Sequence, residues 1–248
     1  MSLKHHPEGE NKRFKEYLFE FIMVFLAVTL GFFAENLRES HTERDEERQY
    51  ARSFYEDLAN DEQALPTLLK SIERHVQTAA ELQDLLPGAN TTNDATKIYV
   101  DFRYVIRQLG IHLFIKDRTL VQVRNAGGMR LLRNKQVTDA ILDYYRNVDL
   151  IASLQEVSLL QEKNLRSSFA PLLNGREWDA VIAPGTDDII TPKATLHLRS
   201  ADQAAINDSL LWLSDLKGIH NGFKTEVTDL KQQATKLRLL IAQAYGLK

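Results

Sequence analysis

Eighteen consecutive residues, Tyr17-Leu-Phe-Glu-Phe-Ile-Met-Val-Phe-Leu-Ala-Val-Thr-Leu-Gly-Phe-Phe-Ala34, carry one charged side chain, Glu20. As a helix this run spans roughly 27 Å, against roughly 30 Å for the hydrocarbon core of a bilayer. The uncharged part alone, Phe21 to Ala34, is 14 residues and reaches roughly 21 Å. Two readings are open: a membrane-spanning helix with Glu20 just inside one face, or a buried core helix or secretory signal. A core helix carries a polar stripe, whereas Phe21 to Ala34 is apolar all round except at Thr29. A cleaved signal ends in small residues, and Phe32-Phe33-Ala34-Glu35 is a poor site. The run is therefore expected to be an uncleaved membrane anchor, residues 17–34.

On a helical wheel Glu20, Val24, Ala27, Gly31 and Ala34 share one face. Ala27-x-x-x-Gly31 is a small-residue pair that lets two helix backbones approach closely, and an intramembrane carboxylate points to function by default. This face is the expected site of self-association or of a partner helix. The alternative is that Glu20 merely reaches water at the interface. Lys12, Arg13 and Lys15 crowd the start of the run, with Lys4 beyond them, while Arg38 is followed only at a distance by Arg44, Arg48 and Arg52. Positive charge stays inside, so residues 1–16 read as a cytoplasmic tail and the rest as a periplasmic domain on the inner membrane.

The residues after Ala34 are polar enough to fold in water. Charged residues make up 26% of the chain and cysteine is absent, which excludes disulfides, thiolate metal sites and a cysteine nucleophile. The net charge of −3 supplies no field for nucleic acid. The charge is uneven: Glu35 to Glu62 holds ten acids and four arginines, and Asp101 to Lys135 holds eight basic residues and two acids. Either these segments neutralise each other in the fold, or Arg103, Arg107, Lys116, Arg118, Arg124, Arg130 and Arg133 form a surface for an anion or an acidic partner.

Helical periodicity dominates beyond the anchor. Residues 35–65 read as a solvated helical stalk, with Pro66 expected to kink the helix or start a new one. Apolar residues then recur at helical spacing up to Leu86. Short helices are expected over Asp94 to Leu109 and Asp117 to Ala126, the second closed by Gly127-Gly128 as a C-cap and turn. Gln136 to Phe169 is the strongest long helix, with a stripe of Val137, Ile141, Tyr144, Val148, Ile151, Leu154, Val157 and Leu165. Residues 171–200 hold three prolines and two glycines and break the pattern. A pocket, if there is one, is expected beside this excursion, near Arg176, Trp178, Asp179, Asp187 and His197. A helix over Ala201 to Leu216, a short connection at Gly218 and Gly222, and a last helix with a heptad seam from Phe223 to Ile241 complete the chain. The fold class is all-α: a transmembrane helix continuing into a stalk, then an antiparallel helical bundle over 66–248 with one irregular excursion.

Catalytic signatures are missing. None of the seven histidines lies in H-E-x-x-H, and there is no G-x-S-x-G elbow and no phosphate-loop pattern around Gly127-Gly128. No metal or cofactor is expected. The leading expectation is a non-enzymatic, membrane-anchored interaction or scaffold module that is part of, or accessory to, a membrane complex. The alternatives are an extracytoplasmic small-ligand sensor and a complex component that handles ions or protons at Glu20. The anchor with its flanks from Lys15 to Arg38, the phrase Asn125-Ala-Gly-Gly-Met-Arg-Leu-Leu-Arg133 and the closing Leu-Ile241-Ala-Gln-Ala-Tyr245 resemble a family of uncharacterised single-pass bacterial inner-membrane proteins with a helical soluble domain. The resemblance implies an inner-membrane protein of a Gram-negative cell and transfers no functional residues.

Overall fold

The computed structural model describes residues 8–92, 94–107, 113, 115 and 117–247. Five helices account for most of them: α1 Glu8–Leu85, α2 Ala95–Val105, α3 Arg118–Asn125, α4 Lys135–Phe169 and α5 Gln203–Tyr245. Of the expected cytoplasmic tail, residues 1–7 lie outside the described residues, and 8–16 already belong to α1. Helix α2 stops at Val105 with Ile106 as its cap, short of the expected end at Leu109; Leu109, Gly110 and most of Ile111 to Ile115 lie outside the described residues.

The three long helices make the bundle. Side-chain pairs such as Glu73–Lys224 between α1 and α5, and Asn147–Gln233 between α4 and α5, set α5 antiparallel to both. Helices α1 and α4 consequently run parallel to each other, the chain returning between them through α2 and α3. Two apolar clusters stack along this axis. The first joins Phe54, Leu58, Leu65 and Ile72 of α1 to Ile141 and Tyr144 of α4 and to the Phe223–Ile241 seam of α5. The second joins Leu82 and Leu86 to α2, Leu165, Phe169 and the first half of α5.

Packing corrects four local expectations. Residues 35–65 are not a solvated stalk throughout, because Ala51, Phe54, Leu58 and Leu65 are buried in the first cluster. The bundle thus begins near Glu47 rather than at residue 66, and only the dozen residues before Glu47 separate it from the apolar run. Helix α1 also continues through Pro66. A proline inside a helix costs about 3 kcal/mol, and the buried Leu65 and Leu68 on either side hold the helix together. The expected connection at Gly218 and Gly222 is likewise absent, since α5 is one helix. Each helical glycine costs roughly 1 kcal/mol relative to alanine, which burial of Leu216, His220 and Phe223 offsets. Within α4, Val157 is exposed rather than part of the buried stripe.

Local chemistry sets the remaining boundaries. Asn134 caps α4 by accepting from the Val137 amide at 3.2 Å, and Asp202 caps α5 by accepting from the Ala205 amide at 3.2 Å. Gly127 closes α3 in the left-handed region, φ 64°, and the buried Gly128 lets that turn press on α1: a Cβ there would stand 3.2 Å from the Tyr50 ring. The 171–200 excursion is a lid on the second cluster. Val181, Leu196 and Leu198 are buried under it, Ile182 and Ile189 form one antiparallel bridge, and Tyr99 bonds to the backbone of Asn174 and His197.

Candidate functional site

The feature that sets this molecule apart is the exposed run of α1 from Glu16 to Ala34. An 18-residue apolar window near the N-terminus has none of its surface buried in the fold, and Phe32 is 74% exposed. Among the described residues one helix is therefore long and apolar enough to cross a membrane, and that stretch is not part of the core. Glu20, Val24, Ala27, Gly31 and Ala34 are all exposed on it. A Cβ placed on Gly31 meets nothing within 4 Å, so the glycine answers no need within this chain.

A buried carboxylate helps the base of the bundle hold this helix. Glu47, 8% exposed, accepts from the Arg133 backbone amide at 2.8 Å and from the Tyr245 hydroxyl at 2.8 Å. It thereby ties α1 to the start of α4 and the end of α5. Burial, with the bond to Glu47 adding to it, pushes the Tyr245 phenol up. Glu47→Ala removes the acceptor of a part-buried amide and a part-buried hydroxyl, at about 1–2 kcal/mol each. We expect a loss of about 2–4 kcal/mol in urea unfolding, with Tyr245→Phe costing about 1 kcal/mol; equal small losses from both would show that Glu47 does not hold the joint.

Above this joint α1 carries two further buried carboxylates. Asp57 accepts from the Thr119 hydroxyl, and Asp61 accepts from the Tyr144 hydroxyl at 2.9 Å. Burial, and then Asp61, push the Tyr144 phenol up, so it stays protonated as a donor and is no base. The same Tyr144 lines a groove of about 320 Å³ between α4 and α5, with Ala140, Asn147, Leu237 and Leu240 beside it and Arg146 and Lys236 at its edge.

Part of the charge imbalance cancels in the fold. Arg133 pairs with Glu43 at 2.8 Å, which joins the basic segment to the acidic one. The Arg103 guanidinium lies over the Trp178 ring, 4.6 Å from its centroid. Arg107 is half-buried, while Arg118, Arg124 and Arg130 are exposed, and Lys116 lies outside the described residues. The six described cations thus divide between packing, pairing and solvent. Near the excursion, Trp178 packs on Tyr99 and Phe102. Arg176, Asp179 and Asp187 are exposed, and His197 faces Glu177, its Nδ1 3.8 Å from the carboxylate. The two grooves described here, at α4–α5 and between Arg48, Arg52 and Leu247, lie away from these residues.

Sequence reasoning missed a polar layer between the two apolar clusters. His75 of α1 and His220 of α5 are 2% and 1% exposed, with ring centroids 5.9 Å apart. The His220 Nε2 lies 3.1 Å from the Ser158 hydroxyl of α4. A signal was present: the α5 seam extends backward from Phe223 through His220, Leu216 and Leu213 at the same steps of three and four. A histidine at a seam position is a histidine in the core. Among the described residues no group of three or more His, Asp or Glu side chains converges as a metal site.

Comparison with protein-family models, curated proteins and solved structures finds no match. The functional reading consequently rests on the molecule's own geometry.

Proposed function

We propose that this chain is a membrane-anchored helical interaction module, a subunit of or accessory to a membrane complex. The observation that carries this reading is the unburied apolar stretch at the head of a helix that runs without a break into the bundle. Soluble proteins rarely expose contiguous apolar patches beyond a few hundred Å², and lipid or another apolar helix removes that exposure. The face of Glu20, Val24, Ala27, Gly31 and Ala34 is the part suited to a partner helix, because small residues admit close backbone approach. Charge flanking places the N-terminus inside and the bundle outside the inner membrane, in keeping with the family resemblance. Continuity from the anchor to Glu47 makes the bundle move with the anchor.

Detergent pulldown of the tagged full-length protein, beside a Glu20→Gln, Gly31→Leu variant, tests the reading. Gly31→Leu meets no atom of this chain, so the fold is expected to survive. A defined set of membrane proteins should accompany the wild type and be lost from the variant. Recovery of the same proteins by both, or of none by either, removes the partner role from this helix. A second reading, small-ligand binding, is favoured by the groove over Tyr144, which combines an apolar floor with Arg146, Asn147 and Lys236. It gains if the wild type carries no protein partner but retains a small molecule that a Leu240→Trp change in the groove expels.

A further inference from the structure

Helix α4 is held unevenly. Ile151 and Leu165 are fully buried, yet no apolar side chain of α4 between them is, and Val157, Leu159 and Leu160 are exposed. Ser158 of this stretch reaches across to His220 of α5. The stretch covers the place where the first apolar cluster gives way to the second. Beneath it the two imidazoles are buried side by side, and the Nδ1 of each has no hydrogen-bond partner. The Tyr104 ring of α2 packs on His75 at 4.6 Å between centroids, and the Arg74 guanidinium lies over the other partner of that stack, 4.5 Å from the Tyr104 centroid.

We propose that the His75–His220 layer is a proton-operated latch, which at acidic pH releases the 152–161 stretch of α4 from α5 and opens the seam between the two cores.

Arg74 and the neighbouring imidazole oppose a proton on His75 in the closed layer. His75 meets Arg74 on its own helix, Tyr104 from α2 and His220 from α5. His220 meets Ser158 from α4, where Glu162 is buried one turn further on, and the Glu73–Lys224 pair bridges α1 and α5 nearby in sequence at 2.8 Å. A proton on either ring is thus placed out of reach of water beside a second imidazole, with Arg74 close to His75. Burial first, then His220 and Arg74, hold His75 down at about 3 from an ordinary 6.5, and burial holds His220 down at about 4. Both rings are neutral in the closed bundle and regain ordinary values once exposed. The closed form therefore keeps its full advantage above about pH 6.5 and loses it as pH falls toward 4. At pH 5 each exposed imidazole favours opening about 30-fold relative to pH 8. Opening needs only the least anchored part of α4 to move.

Hydrogen exchange of the full-length protein in detergent micelles, at pH 8 and pH 5 and corrected for intrinsic rates, tests the latch. Protection over 152–161 should fall at least about 30-fold at pH 5, while peptides containing Phe102 and Phe169 keep theirs. A His75→Leu, His220→Gln variant, which retains a partner for Ser158, should lose that pH dependence. Unchanged protection, an equal fall across the whole molecule, or a variant that still opens would each overturn the latch. Should the variant fail to fold, imidazole titration of the wild type by NMR decides the matter: neither ring should protonate above about pH 5 in the closed form, and titration of either near its ordinary value rules the latch out.

Discussion

A Leu26→Arg, Leu30→Arg double variant of the full-length protein is expected to leave the membrane fraction while its bundle stays folded. Each arginine near the centre of a spanning helix costs about 2.5–3.5 kcal/mol on insertion scales. Two together cost about 5–7 kcal/mol, which shifts partitioning by roughly four to five powers of ten. Neither position contributes to the core, since the whole apolar window is unburied, so the urea midpoint of the bundle should not move. Alkaline extraction of membranes followed by unfolding of the released protein reads both quantities. A variant that remains in extracted membranes would remove the anchor, and one that loses the urea midpoint would show that the helix is needed by the fold.

Phe102→Ala is expected to be the most damaging single change in the bundle. Phe102 is 1% exposed and stacks face to face on Phe169, with centroids 3.9 Å apart and planes within 9°. Its ring also meets Trp178 at 5.6 Å. Deleting a buried phenyl removes transfer energy and leaves a cavity, together about 3–5 kcal/mol, a large share of the roughly 5–15 kcal/mol that holds a domain folded. Both tryptophans, Trp178 and Trp212, pack against the second cluster, so indole emission reports that cluster while far-UV circular dichroism reports all the helices. At pH 8 the two probes should move together in urea, because α1, α4 and α5 pass through both clusters. Phe25→Ala on the exposed run should leave both unchanged. If Phe102→Ala costs less than about 1 kcal/mol, the lid and the stack contribute little to the second core.

Much of the secondary structure was legible because it depends on neighbours three and four residues away. The seam from Phe223 to Ile241 is buried as its spacing required, and α4 begins at Lys135 and ends at Phe169, within one residue of expectation, because Asn134 caps it and Pro171 follows it. Gly127 closed α3 for a reason visible in its own chemistry. The candidate pocket was less legible. Trp178 was singled out as unusual and is, yet it serves packing beneath Arg103. The α4–α5 groove and the histidine layer each combine residues far apart in the chain, which no local pattern joins.

The chain by itself determined that it is helical, that its apolar run at 17–34 differs in kind from the rest, and where most helices start and stop. Backbone propensity, capping and apolar spacing are local, and they act before any tertiary contact forms. Only the tertiary structure decided that α1 persists through Pro66, that α5 persists through Gly218 and Gly222, and that the bundle reaches down to Glu47. It alone set His75 beside His220. Burial against distant helices outweighs local costs of about 1–3 kcal/mol per residue, and that burial depends on which faces meet, not on the order of residues within any one helix.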